Sequence, residues 1–261
     1  MTPIMADFSF HTDRESQLAQ ALTQLRSRLE AAAAAANRNI AEIELLPITK
    51  FFPATDVAIL ARLGLRAFGE SRDQEAVAKV AEVARLLGSA SPTLDWHMVG
   101  QVQRNKARSV ARWAHTVYSV DTPRLVAALD QAAGAALADG HRSHPMRVYV
   151  QVSLDGDASR AGVDVSMPAA IERICAQIEA AEALELVGLM GVPPLGWDPD
   201  AAFAVLESEH QRVLGLHPGA LSLSTGMSDD LESAIRHGST CVRVGSALLG
   251  IRQLPSPDKS L

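Results

Sequence analysis

Cysteine is nearly absent from this chain of 261 residues, which carries two, Cys175 and Cys241, far apart and each in an apolar helix or strand context. A disulfide framework or a zinc site would need more ligands, so both read as buried reduced thiols. Aromatic residues make up only 4 % of the chain, and alanine is abundant, which suits closely packed helices better than a β-sandwich. No apolar run approaches the ~20 residues that span a bilayer. The opening MTPIMADFSFHTDRES lacks a basic n-region and an apolar h-region, so no secretory signal is expected there. Clustered positive charge is missing too. With a net charge of −6 the chain has no basic surface suited to neutralising nucleic-acid phosphates. These exclusions leave a soluble cytoplasmic protein, and 48 % hydrophobic residues supply a sizeable core.

What is present is regular alternation. Leu18, Leu22, Leu25 and Leu29 recur at three- and four-residue steps, predicting a helix from about Arg14 to Ala36. Short β-rich segments then appear at ELLPITK (44–50), LRAFGE (65–70), LDWHMVG (94–100), HTVYSVD (115–121) and MRVYVQVS (146–153). LELVGLMG, LSLS (221–224) and CVRVG (241–245) complete the set, with helical patterns such as Arg72 to Leu87 and Thr122 to Ala138 between them. Continuous apolar strands joined by helices imply a parallel sheet buried on both faces. Eight such units predict an α/β fold, a single (β/α)₈ TIM-type barrel with an extra N-terminal helix; such barrels take about 250 residues. One domain over 1–261, with its core at about 40–252 and short disordered termini, is expected. A doubly wound open sheet is the alternative, although it normally has a glycine-rich turn after its first strand, and ITKFFPAT has no glycine.

Barrel active sites lie at the C-terminal ends of strands. Here those ends read Lys50, Glu70, Gly100, Asp121, Ser153, Gly191, Ser224 and Gly245. Lys50 stands out, because the chain has four lysines and twenty arginines. A lysine at such a position suggests a task a guanidinium cannot perform. Partial desolvation after the apolar run LLPIT would favour the neutral amine, the form that attacks an aldehyde. A lysine snorkelling at a strand end is the plainer reading.

At the other end of the chain, LSLSTGMSDDLESAI passes from Ser224 through Gly226 to a helix start with Ser228 as its cap. CVRVGSALLG passes from Gly245 into a helix at Ser246. Small residues at a helix start let backbone N–H groups approach a phosphate, and the loops after the last two strands are the usual phosphate site of this fold. Ordinary strand-to-helix turns would look similar. Alternation places Val242 and Val244 on one face and Arg243 with Gly245 on the other; a buried arginine there needs either a structural ion pair or a ligand.

The segments PITKFFP, FGESRDQE, WHMVGQVQRNKAR, VYSVDTPRL, QVSLDGDASRAGV, GLMGVPP, LSTGMSDDLESAI and VRVGSALLGIR follow one another in this order. In that order they resemble the pyridoxal phosphate homeostasis proteins of the YggS/PROSC type, which share the barrel of the alanine racemase N-terminal domain. The resemblance runs from about residue 14 to 252. It implies that pyridoxal 5′-phosphate (PLP) is held as a Schiff base on Lys50. It implies that Ser224, with the backbone at Gly245 and Ser246, holds the phosphate, and that Arg243 faces the pyridine nitrogen. A permanently charged arginine there disfavours protonation of the ring, so carbanion chemistry is poorly supported. The departures are Ser71 where asparagine is usual, Thr225 where methionine is common, Arg160 for a frequent lysine, and Phe51-Phe52 in place of Thr-Lys before Pro53.

A non-catalytic PLP-binding protein is therefore expected, with no catalytic residue and no metal, as a monomer, and with PLP-dependent apoenzymes as candidate recipients. A PLP-dependent amino-acid racemase is the alternative. It would need acid/base groups on both faces of the cofactor, whereas Tyr118 and Tyr149 lie inside strands and the chain ends soon after Gly245, leaving no room for the second domain of the racemases. His97 reads as a core histidine and Asp121 as a helix cap. A class I aldolase using Lys50 on a substrate carbonyl is a further alternative.

Overall fold

Each apolar segment becomes a strand because the helical stretch that follows it returns the chain to the same edge, which forces parallel pairing. In the computed structural model, residues 5–88, 92–157 and 161–251 are described, with side chains from residue 13 onward. The strands are β1 (Glu44–Pro47), β2 (Ala67–Glu70), β3 (Asp95–Met98), β4 (Thr116–Val120), β5 (Met146–Ser153), β6 (Val163–Asp164), β7 (Leu184–Gly191), β8 (Ser222–Ser224) and β9 (Cys241–Val244). They pair in the order β1-β9-β8-β7-β5-β4-β3-β2, all parallel, and Ile48 bridges to Gly69 so that β1 meets β2. The result is a nearly closed eight-stranded barrel, as the alternation predicts. The two-residue β6, which pairs only with β5, has no counterpart in the sequence reading.

The helices are α1 (Met5–Ala35), α2 (Ala54–Arg62), α3 (Asp73–Leu87), α4 (Ala107–Trp113), α5 (Pro123–Ala138), α6 (Pro168–Glu179), α7 (Pro199–Leu216), α8 (Leu231–Arg236) and α9 (Ser246–Leu249). The N-terminal helix α1 begins nine residues before the predicted Arg14 and packs against α2, α8 and α9. Its four periodic leucines are all buried, each worth on the order of 2 kcal/mol in apolar transfer. Arg14 pairs with Asp56 at 2.6 Å, and Arg28 pairs with Glu232 of α8. The cap of α5 is Thr122, whose side chain accepts from the Leu125 N–H, with Pro123 in the first turn. Asp121, expected in that role, instead accepts a bond from the Gly162 N–H at 3.2 Å. Thr122 sits one residue closer, where its hydroxyl can reach the third helical N–H.

Outward-facing strand residues such as Val242 and Val244 join the apolar layer beneath the helices, together with Leu60 and Leu248. Inward-facing Leu46, Tyr118, Tyr149, Val187, Met190 and Cys241 fill the barrel. Gly188 shows how tightly the ring closes. Its φ is +150°, and an added Cβ would lie 1.7 Å from the Ser222 carbonyl oxygen; only glycine lets β8 approach there. Cys175 and Cys241 are both buried free thiols. Among the described residues no helix is long and apolar enough to cross a membrane. Arg160, the tail after Arg252 and the first four residues, including the expected disordered termini, lie outside the described residues.

Candidate functional site

β1 ends at Pro47, and the chain then turns through 49–52 before α2. Lys50 thus sits in a turn three residues beyond the strand rather than at its last residue. Phe51, the next residue, has φ +67°. Its N–H donates to Glu75 Oε1 at 2.7 Å, and the Arg72 guanidinium stacks 5.0 Å from its ring centre. Pro53 leads into α2, and Phe52 turns toward the barrel mouth.

A cavity of about 760 Å³ opens at this mouth, lined by Lys50, Phe52, Gln151, Met190, Ser228, Arg243, Gly245 and Ser246 among others. Small-molecule sites run from about 300 to 1,000 Å³. Lys50, Arg243, Gly245 and Ser246, drawn from the two ends of the barrel sequence, therefore meet at one void. They meet because β1 pairs with β9.

Arg243 is only 7 % exposed. Its Nη1 donates to Ser224 Oγ at 2.6 Å and its Nη2 to the Gly191 carbonyl at 3.0 Å. Both acceptors are neutral, so the ion-pair reading fails at these bonds. Burial pushes the guanidinium pKa down, yet arginine stays protonated in proteins. The Thr225 hydroxyl also donates to the Gly191 carbonyl, at 3.3 Å, so this departure from the family adds a polar contact rather than packing alone.

Ser224 does not line the cavity. It is wholly buried, and its hydroxyl donates to the Cys241 carbonyl at 3.2 Å while accepting from Arg243. The serine that reaches the cavity from this loop is Ser228, which the sequence reading assigned to a helix cap. α8 starts only at Leu231, with Asp230 at the cap position and the Asp230 carboxylate accepting from the Met227 N–H at 2.6 Å. Ser228 is thereby released from capping. Its Oγ accepts from Ser246 Oγ at 3.2 Å and from the Ala247 N–H at 3.3 Å, tying the two loops together. The signal was the serine just after the Gly226–Met227 turn, which two roles fit equally well.

Gly245 is also informative. Its φ is −109°, a value any residue adopts, and an added Cβ would meet nothing nearer than the Ile48 carbonyl oxygen at 3.7 Å. Neither backbone strain nor protein contact demands glycine here, so its absence of a side chain serves the space itself. At the start of the helix that follows, the Ser246 N–H has no intrahelical acceptor, while the Ala247 N–H is taken by Ser228 Oγ. Together these features make a cradle suited to an anion beside two basic side chains.

The remaining candidates fall elsewhere. His97 is buried, with Nδ1 3.0 Å from Tyr118 Oη, and burial together with the nearby His115 and Arg147 charges lowers its pKa to about 3. It is a core histidine. Tyr118 and Tyr149 stack with ring centres 4.4 Å apart inside the barrel. Burial raises the Asp121 carboxyl pKa. Ser71 lines a separate depression of about 430 Å³ with Arg72 and Gln101. Among the described residues no group of three or more His, Cys, Asp or Glu side chains could hold a metal ion.

With this geometry in hand, similarity to known proteins becomes specific. The family model for the alanine racemase N-terminal domain matches residues 20–253. A pyridoxal phosphate homeostasis protein of Mycobacterium bovis is 65 % identical over 256 residues, covering 97 % of this chain and 99 % of the relative. This chain belongs to the pyridoxal phosphate homeostasis protein family. PipY of Synechococcus elongatus, a COG0325 family member solved with PLP bound, is 32 % identical with a TM-score of 0.74, covering 90 % of this chain and 100 % of that one. Alanine racemase from Corynebacterium glutamicum is 16 % identical with a TM-score of 0.62, covering 95 % of this chain and 64 % of the racemase. With that enzyme the barrel fold alone is shared.

Proposed function

We propose that this protein holds pyridoxal 5′-phosphate at Lys50 as a cytoplasmic, monomeric, non-catalytic carrier in cofactor homeostasis, built on one barrel domain with its core at about 40–252. The observation that carries this reading is Arg243, a buried cation held by neutral oxygens and facing the same cavity as Lys50. When bound, the cofactor supplies an aldehyde for covalent attachment and a ring that can act as an electron sink.

The chain's own residues suit holding better than using it. Lys50 offers the amine at the rim. Gly245, Ser246 and Ser228 form the phosphate cradle, and Ser224 acts through Arg243 by fixing its guanidinium. We assign Arg243 to the pyridine nitrogen, where its positive charge opposes protonation and so weakens the electron sink. Neither tyrosine lines the cavity, so neither stands ready to move a proton at a bound amino acid. PLP-dependent apoenzymes are the proposed recipients.

A racemase is the alternative to exclude, since a barrel shared with alanine racemase carries no activity by itself. Purified protein mixed with PLP is expected to gain a visible absorbance band that Lys50→Ala abolishes. Conversion of L- to D-alanine at the ~10 s⁻¹ typical of enzymes would overturn the carrier reading.

A further inference from the structure

Lysine is rare here, and a second one, Lys79 on α3, is buried beside the Lys50 turn at 6 % exposure. Its ammonium donates to the Thr49 carbonyl at 2.8 Å, to Glu70 Oε1 at 2.7 Å and to Glu75 Oε1 at 3.2 Å. One tetrahedral nitrogen serves three acceptors, which a planar guanidinium with its donors spread along a fork does not reproduce. In a chain that otherwise prefers arginine, this is a physical reason for lysine.

The cluster grips both neighbours of Lys50. On one side, Thr49 Oγ1 donates to Glu70 Oε1 at 2.6 Å, and the Thr49 N–H donates to the Gly69 carbonyl at 2.9 Å. On the other, Glu75 Oε1 accepts from the Phe51 N–H. Phe51 adopts a left-handed φ of +67°, strained for a non-glycine residue, which persists only where its surroundings impose it. The arrangement is also costly to bury, since Glu70 Oε2 has no hydrogen-bond partner among the described residues. An apolar cluster of similar volume would stabilise the fold at least as well.

We propose that Lys79, Glu70 and Glu75 form a positioning cluster that fixes the 49–52 turn and so presents the Lys50 amine to the cofactor's aldehyde. The inference rests on Lys50 being the attachment residue. Attachment joins the Lys50 nitrogen to the aldehyde carbon with loss of one water, so it depends on where the amine sits, whereas phosphate and ring binding do not.

The test compares PLP with 4′-deoxypyridoxine phosphate, which has the ring and phosphate but no aldehyde, by calorimetry and absorbance. Lys79→Met would strand Glu70 in the core and risks unfolding, so Glu75→Ala, Glu75→Gln and Lys79→Arg carry the comparison. Glu75→Ala and Lys79→Arg are expected to weaken PLP binding about tenfold and to leave the deoxy analogue unchanged. Glu75→Gln, which keeps an acceptor for the Phe51 N–H, should recover most of the loss. Wild-type PLP affinity in both Glu75→Ala and Lys79→Arg, or equal losses for the two ligands, overturns the proposal. If the wild type gains no visible band and binds the two ligands alike, the Lys50 reading itself fails and takes this inference with it.

Discussion

Two polar clusters lie inside the same barrel and behave differently. Within the barrel, His97 Nδ1 bonds to Tyr118 Oη at 3.0 Å and Tyr118 Oη to Cys241 Sγ at 3.6 Å, while the Tyr149 ring stacks on that of Tyr118. Burial drives the His97 pKa down to about 3 and the Cys241 thiol up to about 12, so this cluster is uncharged near neutrality. At the mouth, Arg243 keeps its charge, and the residues around it border a cavity of about 760 Å³. Burial of polar groups is common to both. What separates a binding site from a polar core is retained charge beside open space.

That contrast can be broken by experiment. The largest effect is expected from Lys50→Ala, which should remove the visible cofactor band entirely; a band that persists places attachment elsewhere. Tyr118→Ala should do the opposite, lowering the free energy of unfolding in urea by about 3–5 kcal/mol while cofactor affinity of the folded fraction is preserved. Loss of affinity without loss of stability would erase the distinction between the clusters. Gly245→Val fills the open space of the cradle and should weaken PLP and inorganic phosphate alike, by about tenfold or about 1.4 kcal/mol, measured by calorimetry. Arg243→Glu places a carboxylate in the arginine's position and should create slow alanine racemisation, detectable by chiral chromatography; no turnover at all would remove the electronic role assigned to Arg243.

A last test concerns pH and His97. Its folded pKa of about 3 lies below the ordinary 6.5, so between those values the unfolded chain binds a proton that the folded chain does not. Stability therefore falls as pH drops through that window, by at most about 1.4 kcal/mol per unit from this group. His97→Gln should flatten that acid limb in urea titrations at several pH values without changing cofactor affinity near neutrality. Buried Glu70, whose pKa burial raises, works in the opposite direction and is unchanged in the variant, so the difference between the two proteins isolates His97.

Much of this protein was decided by local pattern. Strand alternation put Val242 and Val244 on one face and Arg243 on the other, leucine spacing marked the buried face of α1, and the scarcity of lysine drew attention to Lys50. These signals act through backbone geometry over two to four residues, and a linear sequence displays them directly. The order of eight motifs along the chain added the family.

Tertiary structure decided which of several locally equivalent residues does what. Ser224 and Ser228 flank one glycine turn, and only the late start of α8 shows that Ser228 reaches the cavity while Ser224 holds Arg243. Asp121 and Thr122 are both good caps, and only the backbone entering α5 selects Thr122. Lys79 lies 30 residues from Thr49, inside the helical stretch Arg72 to Leu87, where nothing local marks it. Pairing of β1 with β2 brings its ammonium under the turn, and such contacts depend on how the barrel closes, which no window of neighbouring residues contains.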